Sequence, residues 1–201
     1  MKLSNDTIVL FDMGRVLVTI DFDAFPNALG LFSKEERMKY APAAMKMEHL
    51  YECGKISTQE FLDAQFEIFE KRFSREQLLS AYNEIIVEEN STIIPLVKKI
   101  QQHYRTALLS NTSETHWEKS LAIAPILQTI PNKFTSFQIG AMKPAPIVYE
   151  TVIQSLGVDA SSILFIDDVQ ENIDGAKALG MNGILYTTVE KLEEEINQML
   201  F

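Results

Sequence analysis

Asp12, Ser110, Lys143, Asp167 and Asp168 are the residues of this 201-residue sequence whose types and placement point to chemistry. Asp12 ends the apolar run Ile8-Val9-Leu10-Phe11, Ser110 ends Thr106-Ala107-Leu108-Leu109, and Asp167-Asp168 end Ile163-Leu164-Phe165-Ile166. Short continuous apolar runs suit strands buried on both faces of a parallel sheet, and such sheets bind ligands at the carboxyl ends of their strands. Three polar termini are therefore expected to meet in one crevice. Lys143, in the loop Gly140-Ala141-Met142-Lys143-Pro144, brings a positive charge. Three carboxylates against one lysine leave excess negative charge at close range, so a bound cation is expected. Oxygen ligands without clustered His or Cys favour a hard divalent ion, with Mg²⁺ the first choice beside a phosphate. With that ion and Lys143 in place, a phosphoryl group can be held by the cation, the lysine, a Ser hydroxyl and backbone N–H groups. Gly14, two residues after Asp12, lets the backbone turn sharply beyond the carboxylate.

The elements that must position these groups follow from periodicity. From Phe22 to about Val87 the spacing is helical only. Ser33 with Glu36, Ser57 with Glu60 and Ser74 with Gln77 have the capping-box spacing and mark three helix starts. Phe61, Leu62, Gln65, Phe66 and Phe69 follow one helix face, and Leu78, Leu79, Tyr82, Ile85 and Ile86 follow another. Met38, Met45 and Met47 are read as packing residues, and Glu88-Glu89-Asn90 as a polar joint that closes the insert. Beyond it helix and strand alternate, the pattern of βαβ units. A strand is expected near Thr135 to Gln138, and a helix opened by Pro144 and Pro146 is expected to stop at Gly157. Another helix, from about Asn172, should stop at Gly180; Ile184-Leu185-Tyr186 makes the last strand, and a charged amphipathic helix closes the chain.

Composition narrows the function classes. A formal net charge of -10 argues against a broad nucleic-acid surface, so an anionic substrate must be met by a local positive site. Cys53 is the only cysteine, which excludes an internal disulfide. No apolar run is long enough for a signal peptide or a membrane span, so the protein is expected to be cytoplasmic, without a membrane partner.

The order FDMG at 11–14, LSN at 109–111, KP at 143–144 and FIDDVQENI at 165–173 resembles the haloacid dehalogenase-like (HAD) superfamily, in particular its phosphatases with a helical cap after the first strand. The likeness runs over essentially the whole chain. It implies an α/β fold: a Rossmann-like doubly wound parallel core formed by residues 1–20 and 90–201, and a small all-α cap formed by residues 21–89. It implies that Asp12 attacks phosphorus and forms an aspartyl-phosphate that water hydrolyses. Asp12, Asp168 and the Gly14 carbonyl would hold Mg²⁺, with Asp167 beside them as an auxiliary group. Ser110 and the Asn111 N–H would bind phosphate oxygens, Lys143 would neutralise the transferring group, and Asn172 would orient the loop after Asp168. The substrate would be a small phosphorylated metabolite such as a sugar phosphate, since an FDxG subset resembling this chain includes sugar-1-phosphate phosphatases. The chain is expected to act as a monomer or weak homodimer.

Two positions depart from the common pattern. The second residue after the nucleophile is usually an Asp that protonates the leaving group; here it is Gly14, which argues against a mutase and keeps open a catalytically weak metabolite-binding protein. Arg15 stands where the subset has a small residue or Asn; contact with a substrate phosphate, contact with a cap carboxylate and a solvent-facing side chain are all open to it. A 2-haloacid dehalogenase, whose halide leaves without a proton, is disfavoured because it has no need of the Asp167-Asp168 cation site. Asp21 is read as a helix cap that could replace the missing acid if its loop folds back. His49, His103 and His116 are read as surface or packing residues, with His116 near enough to the Ser110 loop to line the crevice. Cys53 is read as having no adjacent base.

Overall fold

The computed structural model describes residues 3–4 and 6–201, so Met1, Lys2 and Asn5 of the expected core segment lie outside the described residues. The chain begins with β1 (Ile8–Phe11), whose four residues are completely buried, and turns back through β2 (Val18–Ile20). Four helices follow: α1 (Ala24–Ala28), α2 (Lys34–Glu52), α3 (Thr58–Ile68) and α4 (Arg75–Asn83). Ser57 and Ser74 form complete capping boxes with Glu60 and Gln77. Ser33 accepts from the Glu36 N–H at 3.1 Å but receives no reciprocal bond to its own N–H, so that box is half formed.

The chain leaves the helices through β3 (Ile86–Glu89), which pairs antiparallel with β2. The helical reading to about Val87 and the polar joint after it are thus corrected. Helix α4 ends at Asn83 and Ile86 starts a strand, because Val18-Thr19-Ile20 offers it a backbone partner. The expected all-α insert therefore includes one strand of a two-stranded stalk. Met38 and Met45, read as packing, are 65% and 64% exposed, and of the three only Met47 packs against the core.

The remaining elements alternate: α5 (Ile94–Gln101), β4 (Arg105–Ser110), α6 (Glu114–Ile123), α7 (Ile126–Thr129), β5 (Asn132–Thr135), α8 (Ser136–Ile139), α9 (Pro146–Leu156), β6 (Ile163–Asp167), α10 (Gln170–Ala178), β7 (Asn182–Leu185) and α11 (Val189–Met199). Strand β5 lies three residues before its expected start and gives way to α8. Only Thr135 of its four residues is fully buried, so it has no apolar run to reveal it. Helix α9 starts at Pro146 and ends on Gly157 in the left-handed region, as the sequence implies.

Five parallel strands form one sheet in the order β5-β4-β1-β6-β7. The β1 side chains alternate between two layers. Val9 and Phe11 pack with Leu96, Val97 and Ile100 of α5 and Ile196 of α11, while Ile8 and Leu10 pack with Val148 and Val152 of α9 and Ile173 of α10. This is the doubly wound core, with β1 central and the order reversing beside it, where a crevice is expected at the carboxyl edge. Among the described residues no helix is long and apolar enough to cross a membrane.

The helical insert touches the core at Gly54. A Cβ there would overlap the Phe137 carbonyl oxygen, and φ is +61°, so only glycine allows this approach of the α2–α3 turn to α8.

Candidate active site

Asp12 follows β1 directly, and its N–H donates to the Ile166 carbonyl at 2.8 Å, which continues the ladder and fixes the carboxylate at the sheet edge. Lys143 reaches it from the loop before α9. Its Nζ donates to Asp12 Oδ1 at 2.5 Å, Asp167 Oδ2 at 2.7 Å and the Leu109 carbonyl at 3.2 Å. Three acceptors thus use all three ammonium hydrogens of a buried lysine. Asn111 holds the loop that carries it: the Asn111 amide donates to the Lys143 carbonyl at 3.0 Å and accepts from the Lys143 N–H at 2.8 Å.

Asp167 is wholly buried and saturated. Besides Lys143 it accepts from the Val169 N–H at 2.8 Å and from Asn172 Nδ2 at 3.0 and 3.1 Å. Asn172 is anchored in turn, its carbonyl accepting from Tyr149 Oη–H at 2.8 Å. Asn172 therefore orients Asp167 directly. Asp168 faces the cleft with Arg15 Nη1 3.5 Å from its Oδ2.

Arg15 has φ of +60°, a region that Asn and Gly occupy more easily than long side chains. This is the physical reason a small residue or Asn suits the position. Here the guanidinium sits between Asp168 and the Phe22 ring, 5.1 Å from its centroid.

Burial pushes the Asp12 carboxyl up to about 7; Lys143 opposes this, and Asp167 and Asp168 add to it. Asp168 is raised as well, by burial and by Asp167, with Arg15 acting against both. Burial pulls Lys143 down, but Asp12 and Asp167 outweigh it and hold it charged. The acidic cluster is short of positive charge. One carboxylate oxygen from each of Asp12, Asp167 and Asp168 lies within 4.8 Å of the others, a spacing that fits a single divalent ion. With Asp167 saturated, Asp12 and Asp168 have the oxygens best able to bind it.

The cleft above Asp12 encloses about 190 Å³. Of the residues singled out in the sequence, Asp12, Gly14, Arg15, Asn111, Lys143, Asp168, Asn172 and His116 line it. Ser110 and Asp167 do not: Ser110 is buried at the end of β4 with its hydroxyl donating to the Asn111 carbonyl at 3.3 Å. Asp21 is exposed, accepts from the Asp23 N–H at 2.9 Å and lies outside the cleft, so it caps a turn and does not replace the missing acid.

Sequence reasoning misses Thr112, Phe22, Glu48 and Glu52 as cleft residues. Glu48 and Glu52 are one turn apart on α2, so their common face is legible, but what that face meets depends on tertiary packing. Burial raises both carboxyls, Glu52 to about 8 with Glu48 adding to the shift. His116 is buried, donates from Nε2 to the Tyr82 carbonyl at 2.8 Å and stacks on the Tyr82 ring at 3.8 Å. Burial pulls it down to about 4, so it is neutral at pH 7. His49 Nε2 lies 3.9 Å from Cys53 Sγ, which corrects the reading of Cys53 as lacking a base, yet burial raises this thiol and keeps it protonated.

The raised Glu52 carboxyl has a measurable consequence. Its folded value of about 8 exceeds the ordinary 4.5, so the native state binds a proton that the unfolded chain releases. Stability from this group is fully present below about 4.5 and is lost as pH rises through about 8. Glu52→Gln should therefore unfold at a higher temperature than the parent at about pH 8 to 9 and at nearly the same temperature below about pH 5. Thermal melts across that range, read by circular dichroism, check this.

Comparison with known proteins agrees with the fold. Residues 9–186 match the family model described as haloacid dehalogenase-like hydrolase. The chain is 30% identical over 182 residues to D-ribitol-5-phosphate phosphatase of Bacteroides thetaiotaomicron, covering 86% of this chain and 87% of the relative. It is 19% identical to (S)-2-haloacid dehalogenase 4A of Burkholderia cepacia, over 80% of this chain and 70% of that one. The crystal structure of the HAD family enzyme bt-2542 from Bacteroides thetaiotaomicron, in complex with magnesium and inorganic phosphate, superposes with a TM-score of 0.79 at 24% identity, covering 90% of this chain and 94% of that chain. From the matched span of the family model and the full-length relative, this chain belongs to the haloacid dehalogenase-like hydrolases.

Proposed function

We propose that the protein is a Mg²⁺-dependent phosphatase that hydrolyses a small phosphorylated metabolite through an aspartyl-phosphate on Asp12. The observation that carries this reading is the buried Lys143 bridge. It fixes Asp12 Oδ1 at 2.5 Å and Asp167 at 2.7 Å, while Asp12 also lines the cleft. A carboxylate held by one oxygen has the other free to attack.

In the first half-reaction Asp12 Oδ2 forms a bond to phosphorus as the ester P–O bond breaks, and the departing alkoxide takes its proton from solvent because Gly14 offers none. Lys143 holds Asp12 and offsets negative charge on the transferring group. In the second, water attacks the same phosphorus and gives up a proton to solvent as the P–Oδ2 bond breaks, so inorganic phosphate forms and Asp12 is restored with both its oxygens. Asp12, Asp168 and the Gly14 carbonyl would hold Mg²⁺, which when bound supplies charge neutralisation for the phosphoryl oxygens. Asn111 and Thr112 line the cleft where that group sits, and Ser110 acts beneath them by shaping the loop. The helical insert, residues 21–89 apart from its stalk strand, serves as a cap that limits water and substrate size.

A sugar or polyol phosphate is the substrate class favoured by the D-ribitol-5-phosphate phosphatase relative and by the carboxyls of Glu48 and Glu52, which can bond to hydroxyl groups in the cleft. The magnesium and phosphate in the bt-2542 structure support the same chemistry.

The test is p-nitrophenyl phosphate hydrolysis with Mg²⁺ and with chelator. Turnover that disappears with chelator and returns on adding Mg²⁺ is expected; turnover unaffected by chelator contradicts the reading. A second reading, a catalytically silent metabolite-binding protein, is favoured by Gly14 and by the exposed position of Asp21, and it predicts binding of phosphate esters without turnover.

Gly14→Asp tests the missing acid. A Cβ there would lie 3.4 Å from Ile20 Cγ1, and the site does not require a positive φ, so a side chain fits. A positioned acid is worth about 10²–10⁴ in rate. The variant should gain about tenfold or more on alkyl phosphates, whose leaving groups need a proton, and little on p-nitrophenyl phosphate. Equal changes on both would show that leaving-group protonation is not limiting.

A further inference from the structure

A second cavity, of about 470 Å³, lies within the helical insert and meets the catalytic cleft at Phe22, Glu48 and Ile85, which line both. Metabolite sites commonly enclose about 300–1,000 Å³, with apolar walls and a few polar groups that fix orientation. This cavity has that make-up: Phe25, Leu31, Tyr40, Ala44 and Phe69 supply apolar and aromatic wall. Gln65 is the deep polar group. It is 3% exposed, its Nε2 donates to the Ala44 carbonyl at 3.4 Å, and its Oε1 has no partner. A buried amide oxygen left without a donor is unfavourable, and a ligand that donates to it removes the penalty.

The cleft over Asp12 is too small for most of a metabolite. It holds about 190 Å³. That is below the roughly 300–1,000 Å³ common for metabolite sites, and the cleft admits a phosphoryl group and the adjoining atoms of a leaving group. Anything larger must continue into solvent or past Phe22, Glu48 and Ile85 into the second cavity. Phe22 is 60% exposed and so is not locked between the two spaces by core packing.

Resting on the phosphatase reading of the cleft, we propose that this second cavity binds the far end of the substrate. The substrate is then a phosphomonoester with three parts: the phosphate at Asp12, a short polar segment passing Glu48 and Glu52, and an apolar body with a hydroxyl or N–H that donates to Gln65 Oε1. A sugar or polyol phosphate supplies the first two, and the second cavity selects, within that class, one that carries an apolar substituent as the third. The occupant is part of the substrate because the cavity shares its boundary residues with the cleft.

The test uses the full chain loaded with Mg²⁺ and a series of straight-chain alkylphosphonates from methyl to octyl, titrated by calorimetry. Each methylene that leaves water for the cavity should tighten binding by about two- to fourfold until the space is filled. Ala44→Phe, which fills the cavity from its wall, should flatten the series while leaving methylphosphonate binding unchanged. Gln65→Met should keep the alkyl slope and lose the added affinity of an ω-hydroxyl analogue. If Ala44→Phe does not fold, the wild-type length dependence and Gln65→Met decide the matter.

A flat wild-type series, no binding at any length, or a slope that survives Ala44→Phe in folded protein would each overturn the proposal. Rising affinity with no hydrolysis of any ester would uphold the cavity and refute the phosphatase. Hydrolysis of short esters with no length dependence would do the reverse.

Discussion

Asp12→Asn is expected to lower phosphomonoester hydrolysis by about 10⁴-fold or more while the protein stays folded. Asp12 is the only carboxylate of the acidic cluster that both lines the cleft and is held by Lys143, at 2.5 Å. An amide at this place cannot donate an electron pair to phosphorus at a useful rate. The fold should survive because Lys143 keeps Asp167 at 2.7 Å and the Leu109 carbonyl at 3.2 Å, and because the lost carboxyl is one that burial already pushes up to about 7. Steady-state assays on p-nitrophenyl phosphate, together with a thermal melt, separate loss of chemistry from loss of structure.

Lys143→Met should lose both. Lys143 is buried with its side chain 2% exposed, and it is the cation between two carboxylates whose side chains are 9% and 0% exposed. Removing one partner of a buried ion pair costs about 3–5 kcal/mol, because the charge left behind is without compensation. For a chain of this size each kcal/mol lowers the melting temperature by about 2–4 °C, so a fall of about 6–20 °C is expected. Activity should drop at least as far as when one transition-state donor is removed, about 10²–10³-fold. Without the lysine, buried Asp12 holds its proton more tightly than the unfolded chain does, so the deficit is largest above neutral pH and narrows as pH falls toward about 4. Urea unfolding of both proteins at several pH values measures it.

The parts of this site legible in the sequence are those fixed by local pattern. Asp12, Ser110 and Asp167 are visible because each ends a run of apolar residues, and the sheet brings such ends together. Ser57 and Ser74 announce their helices because a capping box is satisfied within four residues. Strand β3 is not legible. Ile85 and Ile86 continue the helical spacing of Leu78 and Tyr82, and only the distant β2 makes an extended conformation favourable. The same holds for Glu48, Glu52 and Phe22, which become cleft residues through the packing of the insert against the core. Gln65 is readable only as one position on the apolar face of α3; its unpartnered oxygen is a property of the folded interior. Arg15 stands out by its type, whereas the left-handed backbone that makes it unusual emerges from the turn linking β1 to β2.

Acid quench of the Mg²⁺-loaded enzyme during turnover, followed by mass spectrometry of its peptides, tests the central claim most directly. The mechanism predicts a phosphoryl adduct on the peptide containing Asp12, absent in Asp12→Asn and absent after chelation. Sustained ester hydrolysis with Asp12 unmodified at every quench time, or with the adduct on another residue, would contradict it.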